Sequence, residues 1–98
     1  MRRVILLNDA KQDLVLIKKF SEKNWGIEQS LTYLRVLKQT IDLINSNPKI
    51  GTNRTDISIQ LFSFPIKSHV IYYMFSADTT WIIRVLHKSM LPKNHLKD

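Results

Sequence analysis

Three side chains in the last third of the chain have the types needed for acid–base or phosphate chemistry: His69, His87 and Lys88. Histidine titrates near neutral pH and can give or take a proton. A neighbouring lysine can stabilise negative charge as it develops on a phosphate. Together they would suit RNA cleavage through the 2′-OH, which needs a base, an acid and cations. The stronger reading of both histidines is structural, as polar ends of strands, because neither sits in a nucleophile or carboxylate motif. No residue is therefore assigned a catalytic role. The three histidines lack zinc-like spacing and the chain has no cysteine, so no metal, cofactor or disulfide is expected.

Arg84 is the other conspicuous residue. It lies among Ile82, Ile83, Val85 and Leu86. A charge in such a run is costly unless it is paired or faces solvent. Asp13 and Asp56 are candidate ion-pair partners; the alternative is that Arg84 meets a binding partner.

The elements that must position these residues are legible from periodicity. Residues 3–7 form a short apolar strand. Asn8 and Asp9 suit a helix start, and Ala10, Leu14, Ile17 and Phe20 predict a helix over 9–24. Gly26 ends it. Ile27, Leu31, Leu34, Leu37, Ile41 and Ile44 predict a second helix over 27–46, antiparallel to the first because the connection is so short. Alternation of Ile57, Ile59 and Leu61 with polar positions predicts a strand over 57–62. Two β-rich runs, 68–75 and 80–86, flank the turn Ser76–Thr79 and predict a hairpin. The order is β-α-α-β-β-β, an α+β domain over residues 1–98 with an antiparallel sheet and an N-terminal helical hairpin packed on it. Trp25 and Trp81 read as turn and core anchors. Residues 91–98 read as a loose C-terminal tail.

Fifteen Lys+Arg against eight Asp+Glu give a net charge of +7, which favours an anionic or acidic partner. No aromatic ladder interleaves the basic residues, so direct specific DNA binding is not expected. The first apolar stretch stops at Leu7, too short for a signal peptide or membrane span, and a cytoplasmic protein is expected.

A shared order of short motifs carries a family resemblance over nearly the whole chain. The motifs are Ala10 with Asp13-Leu14, Trp25-Gly26, Tyr33 and Leu37, Asn47-Pro48-Lys49-Ile50-Gly51, and Arg54 with Asp56. Phe64-Pro65, Ser68–Tyr73 and Arg84–Met90 complete the set and fit best. In this order the chain resembles the ParE toxins of the RelE/ParE superfamily.

The resemblance implies a RelE/ParE-like fold and the toxin of a type II toxin–antitoxin system. Such a toxin arrests growth by inhibiting DNA gyrase and forms a hetero-oligomer with a ParD-like antitoxin, through which any DNA contact would come. The superfamily also contains RelE-type ribosome-dependent mRNA endoribonucleases. Those carry lysines on the strand that falls at 57–62, where this chain has Ser58, Gln60 and Phe62. The alternative reading is thus a nuclease with a degenerate site of His69, His87 and Lys88. On the binding reading, the residues expected to meet antitoxin or gyrase are Arg54, Arg84, His87, Lys88, Met90, Lys93 and Leu96. The C-terminal segment is expected to contribute to target inhibition.

Overall fold

The computed structural model describes residues 2–96. Strand β1 (Arg3–Leu6) leads into helix α1 (Asn8–Trp25) and helix α2 (Ile27–Ser46). A 3-10 turn, Pro48–Ile50, and four strands follow: β2 (Thr52–Asn53), β3 (Phe62–Ile66), β4 (His69–Phe75) and β5 (Thr79–His87). A second 3-10 turn covers Pro92–Asn94. No helix among the described residues is long and apolar enough to cross a membrane.

The strands lie in the order β1-β5-β4-β3-β2. Strands β2 to β5 form the antiparallel meander. β1 joins at the edge, parallel to β5, with Arg3 opposite Thr79 and Leu6 opposite Ile82. The α+β class and the helical hairpin agree with expectation, but the sheet is mixed, and periodicity gave no clue to where β1 would insert. Arg2 ties this edge down. Its guanidinium donates to the carbonyls of Asn45 (2.7 Å), Ser76 (2.8 Å) and Ala77 (2.6 Å).

The expected strand over 57–62 is not formed. Residues 54–61 are a loop between β2 and β3, and β3 starts only at Phe62. The Arg54 carbonyl accepts from the amides of Ile57 (2.9 Å) and Ser58 (3.1 Å), which curls the chain. Gln60 then takes a positive φ of 68°, and the Leu61 carbonyl accepts from the Arg54 amide. Ile57 and Leu61 still turn inward, while Ile59 is 79% exposed. Alternation was present in the sequence, but local turn bonds took the backbone out of the ladder.

Alternation along β4 divides the sheet into two apolar faces. Ile71 and Tyr73 face the helices with Ile82 and Val85, against Ala10, Ile17, Tyr33, Leu37, Ile41 and Ile44. The opposite face carries Tyr72 and Leu86, covered by Leu61 and Ile57 of the loop and by Leu96 of the C-terminal segment. Residues 91–96 are therefore not a loose tail; Lys97 and Asp98 lie outside the described residues. Leu96 gives the segment an apolar anchor, and burying such a side chain stabilises by roughly 1.5–3 kcal/mol when complete.

Gly26 alone joins the two helices. Its φ of 91° and ψ of 164° fall where residues with a Cβ are essentially not found. The hydroxyls of Ser21 and Ser30 meet between the helices, so small side chains set their close approach. The buried stripe differs from the one predicted: Phe20, Ile27 and Leu31 are exposed, while Asp13, Ser21, Ser30 and Thr40 are buried.

Candidate functional site

β1 stops opposite Ile82, and the rest of β5 is left with an open edge. α1 runs beside that edge. Asp13 replaces a strand neighbour there, its Oδ2 accepting from the Val85 amide at 2.9 Å. The same carboxylate grips Arg84 with two charge-assisted hydrogen bonds, from Nε at 2.7 Å and Nη2 at 2.9 Å. This answers the choice between Asp13 and Asp56: Asp56 pairs instead with Arg54, 3.0 Å away. The bond to Asp13 raises the Arg84 pKa further above its ordinary value, so Arg84 stays charged.

α1 does not close fully on the sheet. A groove of about 490 Å³ remains, with Leu16, Ile17, Phe20 and Trp25 on the helix side. His69, Val85 and His87 form its floor, and Met90 and His95 of the C-terminal segment form the second wall. Leu16 is 63% exposed, Phe20 59% and Met90 45%, so large apolar side chains stand open to water along both walls. Trp25 sits edge-on between the rings of Phe20 and Tyr33 and is 42% exposed, an anchor for the turn that also faces the groove.

The two histidines pair across the sheet, His69 opposite His87, with ring centroids 5.4 Å apart. Tyr33 Oη lies 2.6 Å from His69 Nδ1 and 3.4 Å from the Ile66 carbonyl. The shorter contact ties the His69 ring to the Tyr33 hydroxyl through Nδ1. Burial first and the neighbouring His87 second hold the His69 pKa down to about 4, with Asp13 opposing both. His87 Nδ1 accepts from the Ser89 amide at 3.1 Å and contacts Ser89 Oγ at 2.7 Å. Each imidazole thus has its Nδ1 engaged by a neighbour.

The residues expected to meet a partner are brought together only in part. Arg84, His87 and Met90 line the groove. Lys88 is exposed at the turn where its amide donates to the Ser68 carbonyl, and Lys93 is exposed on the Pro92–Asn94 turn. Arg54 belongs to the other side of the sheet, held by Asp56 and lying 6.0 Å over the Tyr72 ring. Leu96 packs on that side too. Sequence reasoning passed over Leu16, Phe20 and Trp25 as groove walls. The signal was there: Leu14, Val15, Leu16, Ile17 and Phe20 are more apolar residues than one buried stripe of α1 needs.

Comparison with known proteins agrees with this architecture. The chain is 36% identical over 96 residues to Toxin ParE1 of Caulobacter vibrioides, covering 98% of this chain and 99% of the relative. It is 32% identical over 89 residues to Toxin ParE1 of Mycobacterium tuberculosis, covering 90% and 91%. A solved structure of a chromosomal ParDE toxin–antitoxin system from P. aeruginosa superposes with a TM-score of 0.77 at 13% identity. That superposition covers 89% of this chain and 96% of the other, and it shows a shared fold. The family profile described as the ParE toxin of the type II toxin–antitoxin system parDE matches residues 4–92. With the fold, the motif order and these relatives in agreement, the chain belongs to the ParE toxin family of type II toxin–antitoxin systems.

Proposed function

We propose that this toxin acts by binding, not by catalysis, and that its target is DNA gyrase in the cytoplasm. The observation that carries the non-catalytic reading is the state of the histidines. His87 Nδ1 accepts from the Ser89 amide, and His69 is buried with Nδ1 engaged by the Tyr33 hydroxyl, so neither imidazole stands free as a base toward a substrate hydroxyl. Lys88 stands exposed beside them with no acid partner recorded among the described residues.

The groove is the seat we assign to a ParD-like antitoxin, in a toxin–antitoxin hetero-oligomer. Its apolar walls would take hydrophobic anchors of an amphipathic segment, and the basic surface would steer an acidic one toward it. Such a segment would order on binding.

The test is supercoiling of relaxed plasmid by gyrase with the purified toxin at stoichiometric concentration. Inhibition or trapped cleaved DNA, relieved by the antitoxin, is expected. Intact supercoiling with cleavage of ribosome-bound mRNA would instead establish the endoribonuclease reading of His69, His87 and Lys88.

A further inference from the structure

The end of the chain is held over the sheet at two points. The His95 carbonyl accepts from Arg84 Nη1 at 3.0 Å, and Leu96 packs into the cluster of Leu61, Tyr72 and Leu86. Between them the Pro92–Asn94 turn bonds mainly to itself, Asn94 to Leu91 and Leu96 to Pro92. Open space flanks the segment on both sides. One hollow is the groove, and a second of about 480 Å³ lies beside Leu7, Asp9 and Ile83; Arg84 and His95 line both. A segment between two hollows depends heavily on its few fixed contacts.

Arg84 is itself aimed by Asp13. The guanidinium is a rigid planar fork. With Nε and Nη2 both fixed on one carboxylate, Nη1 must point toward His95. We propose that the Asp13–Arg84 pair is a latch that positions the C-terminal segment, and that occupation of the groove moves the segment through this latch. The second half of that statement rests on the reading of the groove as the antitoxin seat. An acidic side chain entering beside Asp13 competes for the same guanidinium. Turning Arg84 toward the newcomer removes the bond to His95. Groove occupancy and the stance of the segment are then linked by a differential contact, which is what coupling requires. Asp13 and Arg84 are positioning residues on this account.

Hydrogen–deuterium exchange on the whole toxin, first alone, tests the latch. Asp13→Asn keeps an acceptor for the Val85 amide but loses the charged pair. It is expected to speed exchange of the 94–96 amides by about tenfold, the loss of one charge-assisted bond. The comparison is made at exchange times at which amides of β4 and α2 are still unexchanged, so that a general loss of stability does not contribute. Leu96→Ala releases the segment from its other anchor and should give the same pattern with Asp13 and Arg84 intact. Unchanged exchange at 94–96 in folded Asp13→Asn overturns the latch; Arg84→Gln serves the same comparison if the first variant fails to fold. The second arm adds the antitoxin to wild-type toxin. Faster exchange at 94–96 together with protection of Leu16–Phe20 supports the coupling, and protection of the groove with slowed or unchanged exchange at 94–96 overturns it. The first arm contains no partner, so its outcome is independent of what fills the groove.

Discussion

The carboxylate of Asp13 sits 2.9 Å from the Val85 amide, where the carbonyl of another strand would otherwise be. A helix side chain thus finishes a sheet edge that β1 leaves open. Asp13 is almost fully buried, and its removal would orphan both that amide and the charge of Arg84. Breaking a buried pair from one side is costly because the partner's charge stays behind. We expect Asp13→Ala to lower stability by about 2–3 kcal/mol, below the fully buried range because Arg84 keeps some solvent contact. Urea unfolding measures it; a loss under about 0.5 kcal/mol would contradict the assigned role.

Gly26→Ala tests backbone conformation in isolation. A Cβ at Gly26 would meet no atom within 4 Å, so no clash contributes. The cost is that of forcing an L-residue to φ 91°, about 1–3 kcal/mol. Gly51→Ala is expected to cost more, because a Cβ there would collide with Tyr73 Oη and the Ser63 carbonyl. Equal melting temperatures for the two variants would refute this ordering.

Phe20→Ala separates binding from folding. The side chain is more than half exposed, so stability should change by less than about 1 kcal/mol. If Phe20 is an anchor for the antitoxin, affinity should fall at least about tenfold, or 1.4 kcal/mol. Calorimetric titration against the antitoxin reads this directly, and unaltered affinity would remove Phe20 from the interface.

His69 predicts an acid-sensitive fold. Its folded pKa is held down to about 4, against an ordinary 6.5, with Tyr33, His87 and Asp13 facing it. The depressed value means the unfolded chain binds the proton more readily. The stabilisation is present above about pH 6.5 and is lost as pH falls toward 4, by about 2–3 kcal/mol at most. His69→Gln retains a hydrogen-bonding group for Tyr33 but does not titrate. Its stability should vary much less between pH 7 and pH 4.5, and a slope as steep as the wild type's would locate the sensitivity elsewhere.

Deleting residues 91–98 should weaken antitoxin binding as well as the gyrase inhibition proposed above, because His95 is part of the groove wall and Leu96 covers the sheet. The sequence resemblance implies a role of this segment in target inhibition. Full antitoxin affinity in the truncated toxin would mean that Met90 and α1 suffice as walls.

Helices and the β4–β5 hairpin were legible because each is encoded by local periodicity and a turn. Misreadings arose where local pattern and final packing part company. Ile57, Ile59 and Leu61 alternate, yet the Arg54 carbonyl captures the following amides and a loop results. Phe20 fits the helical stripe of α1, yet the groove leaves it open. Arg84 announced itself as a charge in an apolar run, but its choice of Asp13 over Asp56 depends on α1 running along the β5 edge. Arg2, which no periodicity singles out, is a clasp on the carbonyls of Asn45, Ser76, Ala77 and Thr79.

The parallel pairing of β1 with β5 has a consequence for synthesis. As the chain leaves the ribosome, Arg3–Leu6 have no strand to join until Thr79–Ile82 emerge. The helical hairpin can form early from near-neighbour contacts, while this long-range pairing must wait. The groove floor comes from β4 and β5 and its second wall from residues after them. An unfinished chain therefore has neither the floor nor the far wall of the groove. The proposed seat of the antitoxin is thus completed only after β5 and the segment beyond it have been made.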